Sequence, residues 1–150
     1  MGISKDLLAF GQEFISLCHG IDISPVVYGS LACLVHLKDS SLNVNDIDFL
    51  VREADFPKLI EASRRLSGLR FEPTDYHSIK FYRAELKVAF DAIEHYLKGI
   101  KIETKRTTIN GHAFEILGIN PLKESYRRAA LSIPVKVEAY REKLRMLETP

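Results

Sequence analysis

The stretch Val26-Val27-Tyr28-Gly29-Ser30-Leu31-Ala32 constrains this chain more than any other. A short β-branched run, set off by Ser24-Pro25, stops at a glycine, and an apolar helical pattern begins directly after it. A glycine between strand and helix lets the backbone approach a ligand with no Cβ in the way. The free amides at the start of the helix are then available to phosphate oxygens, with the helix dipole behind them. Ser30 adds a hydroxyl. A Gly-Ser pair is also an ordinary way to turn and cap a helix, so the turn alone identifies no ligand.

The stretch Asn45-Asp46-Ile47-Asp48-Phe49-Leu50-Val51 answers it. Strand side chains alternate, so Asp46 and Asp48 share one face while Ile47 and Phe49 take the other. Two ionised carboxylates that close repel each other. A divalent cation is the natural compensator, and hard oxygen donors suit Mg²⁺ or Mn²⁺. The pair would also be tolerated at a solvent-facing strand edge. In Leu86-Lys87-Val88-Ala89-Phe90-Asp91-Ala92-Ile93, the residues Val88 and Phe90 share one face and Asp91 falls on the other with Lys87 and Ala89. A carboxylate near the end of an apolar strand is costly unless paired or metal-bound. If the two strands are neighbours, three carboxylates converge beside the glycine turn, as two-metal phosphoryl transfer requires.

The remaining segments give the architecture. Ile3, Leu7, Phe10, Phe14 and Leu17 recur at helical spacing behind a Ser4 cap, with Gly20 as the stop. Lys38 to Asn45 is polar and reads as a mobile loop. Asp55 is the expected cap of a helix that carries Pro57 in its first turn and ends at Gly68. The region from Leu69 to Ile93 is rich in strand signal, with a hairpin formed by 77–83 and 86–93. A second hairpin, 102–109 with 112–117, turns at Asn110-Gly111. Asn120-Pro121 opens a helix through Leu131, Ser132-Ile133-Pro134 breaks it, and Val137, Tyr140, Leu144 and Leu147 stripe a last one. Residues 1–150 therefore read as a single α+β domain, a mixed sheet with helices packed mainly on one face.

Composition excludes more than it identifies. A net charge of +1 removes the case for nucleic-acid or membrane binding through bulk electrostatics. Lys101, Lys105 and Arg106 form a small basic patch without interleaved aromatics, which fits a solvated hairpin. Cys18 and Cys33 make neither a disulfide framework nor a zinc pair. No basic region leads into an apolar run at the N-terminus, and no window is long and apolar enough for a membrane span. A soluble, cytoplasmic protein is expected.

Strand-Gly29-Ser30-helix, then Asp46-Ile47-Asp48 between apolar residues, then a lone Asp91 on a later strand, resembles the DNA polymerase β-like nucleotidyltransferase superfamily. The nearest likeness is to its minimal members, similar to antibiotic nucleotidyltransferases and to nucleotidyltransferase-like toxins and antitoxins. The motif order spans residues 20–95. The resemblance implies that Gly29 and Ser30 hold the terminal phosphates of an NTP, with ATP the expected one. It implies that Asp46 and Asp48 bind two Mg²⁺ ions. Asp91 would bind the catalytic metal and help deprotonate an acceptor hydroxyl, which attacks the α-phosphate and expels pyrophosphate. Lys136, after Tyr126-Arg127-Arg128-Ala129-Ala130 and Pro134, matches the lysine that faces the nucleotide, although Val137 stands where an acidic residue often follows. The acceptor, whether small molecule, RNA or protein, is not specified, and a homodimer or a partner protein would help enclose it. The alternative within the same resemblance is a non-catalytic nucleotide-binding or toxin–antitoxin interaction protein.

Overall fold

A computed structural model describes residues 2–37, 41–74, 77–132 and 136–148. The first helix, α1 (Lys5–Gly20), starts where the sequence places it: Ser4 Oγ accepts the Leu7 N–H at 3.1 Å, and Asp6 sits in the positive first turn. Its buried stripe of Leu7, Phe10, Phe14 and Cys18 follows the three-and-four spacing. Strand β1 (Val26–Tyr28) runs straight into α2 (Gly29–His36). Residues 41–45 have no regular structure, and the remainder of the expected loop, 38–40, lies outside the described residues.

Strand β2 (Ile47–Val51) leads through a 3₁₀ turn at Glu53–Asp55 into α3 (Phe56–Ser63). Two local expectations change here. The Asp55 carboxylate does not cap α3, because Arg52 holds it by two bonds, from Nε at 3.1 Å and Nη2 at 3.2 Å. The helix also stops short of Gly68. The amides of Arg64, Arg65 and Leu66 each turn to the carbonyl three residues back, and Ser63 Oγ donates to the Ile60 carbonyl at 2.6 Å. Then come β3 (Arg70–Pro73), β4 (Ser78–Arg83) and β5 (Leu86–Ala92). Ile93 leaves the strand to open a single turn, α4 (Ile93–Tyr96). The hairpin of β6 (Thr104–Ile109) and β7 (His112–Leu117) turns as expected, with φ of 48° at Asn110 and 81° at Gly111. Helices α5 (Ile119–Ser132) and α6 (Val137–Glu148) close the described chain.

The described residues form one mixed sheet of seven strands in the order β3-β4-β5-β2-β1-β7-β6. The pairs β2–β5 and β1–β7 are parallel and the other four are antiparallel. One sheet face is apolar. Phe49 stacks on Phe90 with centroids 5.1 Å apart, and Phe14 of α1 packs on Phe81 at 5.0 Å and on Phe90 at 5.5 Å. Phe14, Phe49, Phe81 and Phe90 are fully buried, each contributing about 2–3 kcal/mol of hydrophobic stabilisation. That packing fixes the register, since a one-residue slip would turn the phenylalanines outward and the carboxylates into the core. The helical pair α5–α6 packs together and against α2. This is the α+β fold that the element order implies. No helix among the described residues is long and apolar enough to cross a membrane.

Candidate active site

The sheet face opposite the phenylalanines carries the carboxylates. Parallel pairing sets Asp48 beside Ala89 and Leu50 beside Asp91, so Asp91 lies one pleat further along the same face. On the other flank of β2, the antiparallel β1 sets Tyr28 opposite Asp48. Asp46 stands just ahead of β2, where Lys87 of β5 reaches it with Nζ 3.3 Å from Oδ2. The structure thus brings Asp46, Asp48 and Asp91 to one face, and the neighbouring of β2 and β5 is what does so.

Gly29 completes the arrangement. Its φ is +66°, a left-handed conformation that side chains disfavour, and a Cβ there would stand 2.5 Å from Asp48 Oδ2. Only glycine lets the start of α2 lie against this carboxylate. Ser30, the next residue, accepts a hydrogen bond from Lys143 Nζ of α6 at 2.8 Å. The expected lysine, Lys136, is instead exposed immediately before α6, and the lysine at the glycine turn is Lys143, two helical turns later.

Each carboxylate has a distinct environment. Burial, then the charges of Asp46 and Asp91, push Asp48 up to about 8, against the opposing pull of Lys87 and Lys143. Burial raises Asp91 to about 6, while hydrogen bonds from Tyr28 and Ser78 and the charges of Lys80 and Lys87 oppose the rise. The Tyr28 hydroxyl crosses β2 to donate to Asp91 Oδ2, and Ser78 is the β4 residue paired with Asp91. Burial opposes the charge of Lys87, but Asp46 and Asp48 hold its pKa above the ordinary lysine value. Burial and nearby carboxylates also raise Tyr28, Tyr96, Tyr126 and Tyr140, so four phenols around this face keep their protons.

This donor set fits a divalent cation chemically: its oxygens are hard, and burial together with the charges of Asp46 and Asp91 leaves Asp48 short of compensation. Among the described residues, however, no three His, Cys, Asp or Glu side chains stand as a ready metal cage. Two are already engaged, Asp46 by Lys87 and Asp91 by Tyr28.

Several contributors were not singled out from sequence. Tyr28 counted only as a strand residue, and Ser78 and Lys143 carried no local signal. His95 stacks on His77 at 4.0 Å, and His77 Nδ1 lies 2.9 Å from Glu53, so these rings are engaged with each other at an exposed rim. Arg106, on the outer hairpin, lies 3.8 Å from Glu115.

No family model matches the chain. No curated protein matches it either. Solved structures do. The crystal structure of ANT(2'')-Ia in complex with adenylyl-2''-tobramycin is similar over 95% of this chain and 88% of its own, with a TM-score of 0.68 at 13% identity. The lincomycin-bound lincosamide antibiotic adenylyltransferase LnuA is similar over 99% of both chains, with a TM-score of 0.60 at 9% identity. An antigenic nucleotidyltransferase-like protein from Paracoccidioides brasiliensis aligns over 98% of this chain and 78% of its own, with a TM-score of 0.59 at 12% identity. At such identities the likeness is one of architecture alone. The chain has the nucleotidyltransferase fold.

Proposed function

We propose that this protein is a divalent-metal-dependent nucleotidyltransferase that moves a nucleoside monophosphate from an NTP, ATP first, to an acceptor hydroxyl. The observation that carries the reading is the seating of Gly29 against Asp48. It puts a helix N-terminus and Ser30 directly beside the face that holds Asp46, Asp48 and Asp91. ANT(2'')-Ia has been solved with an adenylylated aminoglycoside, and LnuA is an adenylyltransferase, so adenylyl transfer is the analogy to test first.

Asp48, with Asp46 and Asp91, would hold Mg²⁺ or Mn²⁺, which when bound supplies charge neutralisation on the phosphates and acidifies a nearby hydroxyl. The amide at Ser30, its hydroxyl and Lys143 hold the β- and γ-phosphates as the leaving group. Asp91 takes the proton of the acceptor hydroxyl. That oxygen bonds to the α-phosphorus, the bond from the α-phosphorus to the bridging oxygen breaks, and pyrophosphate departs. Release of Asp91 from Tyr28 belongs to substrate entry in this scheme. A second copy or a partner protein is the proposed source of further acceptor-binding surface.

A second reading has its own support. With Asp46 paired to Lys87 and Asp91 to Tyr28, the same face suits a protein that binds nucleotide without transferring it, including one half of a toxin–antitoxin pair. ATP labelled at the α-phosphate, incubated with Mg²⁺ against aminoglycosides, tRNA and candidate proteins, separates the two. Transfer by the native chain that Asp91→Asn abolishes establishes the enzyme. Metal-dependent ATP binding without pyrophosphate release on any acceptor would favour the binding protein.

A further inference from the structure

On the carboxylate face, the register sets Asp48 beside Ala89 of β5 and Ala89 beside Lys80 of β4. The residue between Asp48 and Lys80 thus carries only a methyl group. Lys80 stands one pleat from Ser78, the β4 partner of Asp91. It is half-buried, and its charge reaches Asp91, where it opposes the rise that burial imposes. The other cations of this flank are engaged, Lys87 with Asp46 at 3.3 Å and Arg70 of β3 over the Tyr82 ring at 4.6 Å. The Lys80 ammonium makes no ion pair or hydrogen bond among the described residues, although Glu72 pairs with it in the register. Partial burial strips an ammonium of some of its hydration, and a bound anion restores what is lost.

We propose that Lys80 binds an anionic group of the acceptor, and that this acceptor is a small hydroxyl compound bearing a phosphate monoester. The inference rests on the nucleotidyltransferase reading above and deepens it by naming the acceptor's chemical class. In-line transfer puts the attacking oxygen on the far side of the α-phosphorus from the departing pyrophosphate. With the pyrophosphate at Ser30 and Lys143, on the β1 side of Asp48, the acceptor comes over β5 and β4. Its hydroxyl then meets Asp91 while its phosphate meets Lys80. An ammonium is a compact point charge that suits one phosphate group, and a net charge of +1 supplies no wider field for a polyanion such as RNA. Once a metal compensates the carboxylates, the flank of Lys80, Lys87 and Arg70 is left positive and repels a polycation such as an aminoglycoside.

The test fills the donor site with the magnesium complex of α,β-methylene ATP, which cannot release pyrophosphate. Glycerol phosphate and glucose phosphate, their neutral parents, kanamycin and a short oligoribonucleotide are then titrated calorimetrically into the native protein, Lys80→Gln and Lys80→Arg. The native protein should bind at least one phosphate ester more tightly than its neutral parent. Lys80→Gln should lose about tenfold in that affinity, the effect of one charged contact, and Lys80→Arg should stay within about threefold of native. Both variants should bind the ATP analogue within about twofold of native. Analogue binding with no binding of either ester, or with equal ester affinity in Lys80→Gln, would overturn the inference alone. Binding of kanamycin or the oligoribonucleotide in place of the esters would overturn it in favour of that class. A matching loss of analogue affinity in Lys80→Gln would overturn it too, by showing that Lys80 acts through Asp91. Failure of the native protein to bind the analogue would overturn the nucleotidyltransferase reading, and this inference with it.

Discussion

Replacing Asp48 with asparagine should stabilise the protein, and increasingly so as pH rises. The carboxyl titrates at about 8 in the folded chain against an ordinary value of 3.8. Between those two values the folded state holds a proton that the unfolded state has released, so stability falls as pH rises through that window. Each unit of displacement is worth ~1.4 kcal/mol, which puts a ceiling of about 5 kcal/mol on the effect by pH 8. Asp48 is half-buried, and screening by solvent brings the expected effect to about 2–3 kcal/mol. Asparagine has nearly the same shape and cannot ionise. Asp48→Asn should therefore match the native protein near pH 4 and exceed it progressively up to pH 8 in urea unfolding without divalent metal. Saturating Mg²⁺ should reverse the order, stabilising the native chain by about 2.7 kcal/mol at a hundred times its dissociation constant and leaving the variant unmoved. Parallel stability curves across that pH range, or a variant that is less stable throughout, would refute the electrostatic reasoning.

Gly29→Ala forces a Cβ to within 2.5 Å of Asp48 Oδ2 at a left-handed φ, and should cost about 2 kcal/mol or more in urea unfolding; a loss under about 0.5 kcal/mol would mean the turn is not held as described. Tyr28→Phe keeps the ring but frees Asp91 Oδ2, so Mn²⁺ titration followed by electron paramagnetic resonance should show tighter metal binding, with about 1 kcal/mol less stability. Lys143→Ala should weaken ATP binding about tenfold by calorimetry, whereas Lys136→Ala should leave it within about twofold, because only Lys143 reaches Ser30.

The short-range parts of the site were legible because they follow from local geometry. The glycine between strand and helix, the period-two pairing of Asp46 with Asp48, and the placing of Asp91 opposite Phe90 need no tertiary information. What joins them does. Parallel pairing of β2 with β5 depends on a long crossover, and no residue pattern specifies which strand becomes the neighbour. Tyr28 meets Asp91 across 63 residues, and Lys143 meets Ser30 across 113. The first exists only once β1, β2 and β5 have assembled, and the second only once α6 has docked, so nothing local distinguishes Lys143 from Lys136. Asp55 shows a local rule outcompeted, since an arginine three residues earlier took the carboxylate that would have capped α3. The end of α3 shifted for a similar reason: successive 3₁₀-type bonds closed the helix before its glycine.

The central claim is that one face of the sheet, with the turn seated against it, holds a nucleotide through a divalent metal. Calorimetric titration of ATP with and without Mg²⁺, into the native protein and into Asp48→Asn, addresses it most directly. The account predicts binding that needs the metal, and that vanishes in the variant although its unfolding transition is intact. Equal ATP binding without Mg²⁺, or undiminished metal-dependent binding by Asp48→Asn, would contradict it.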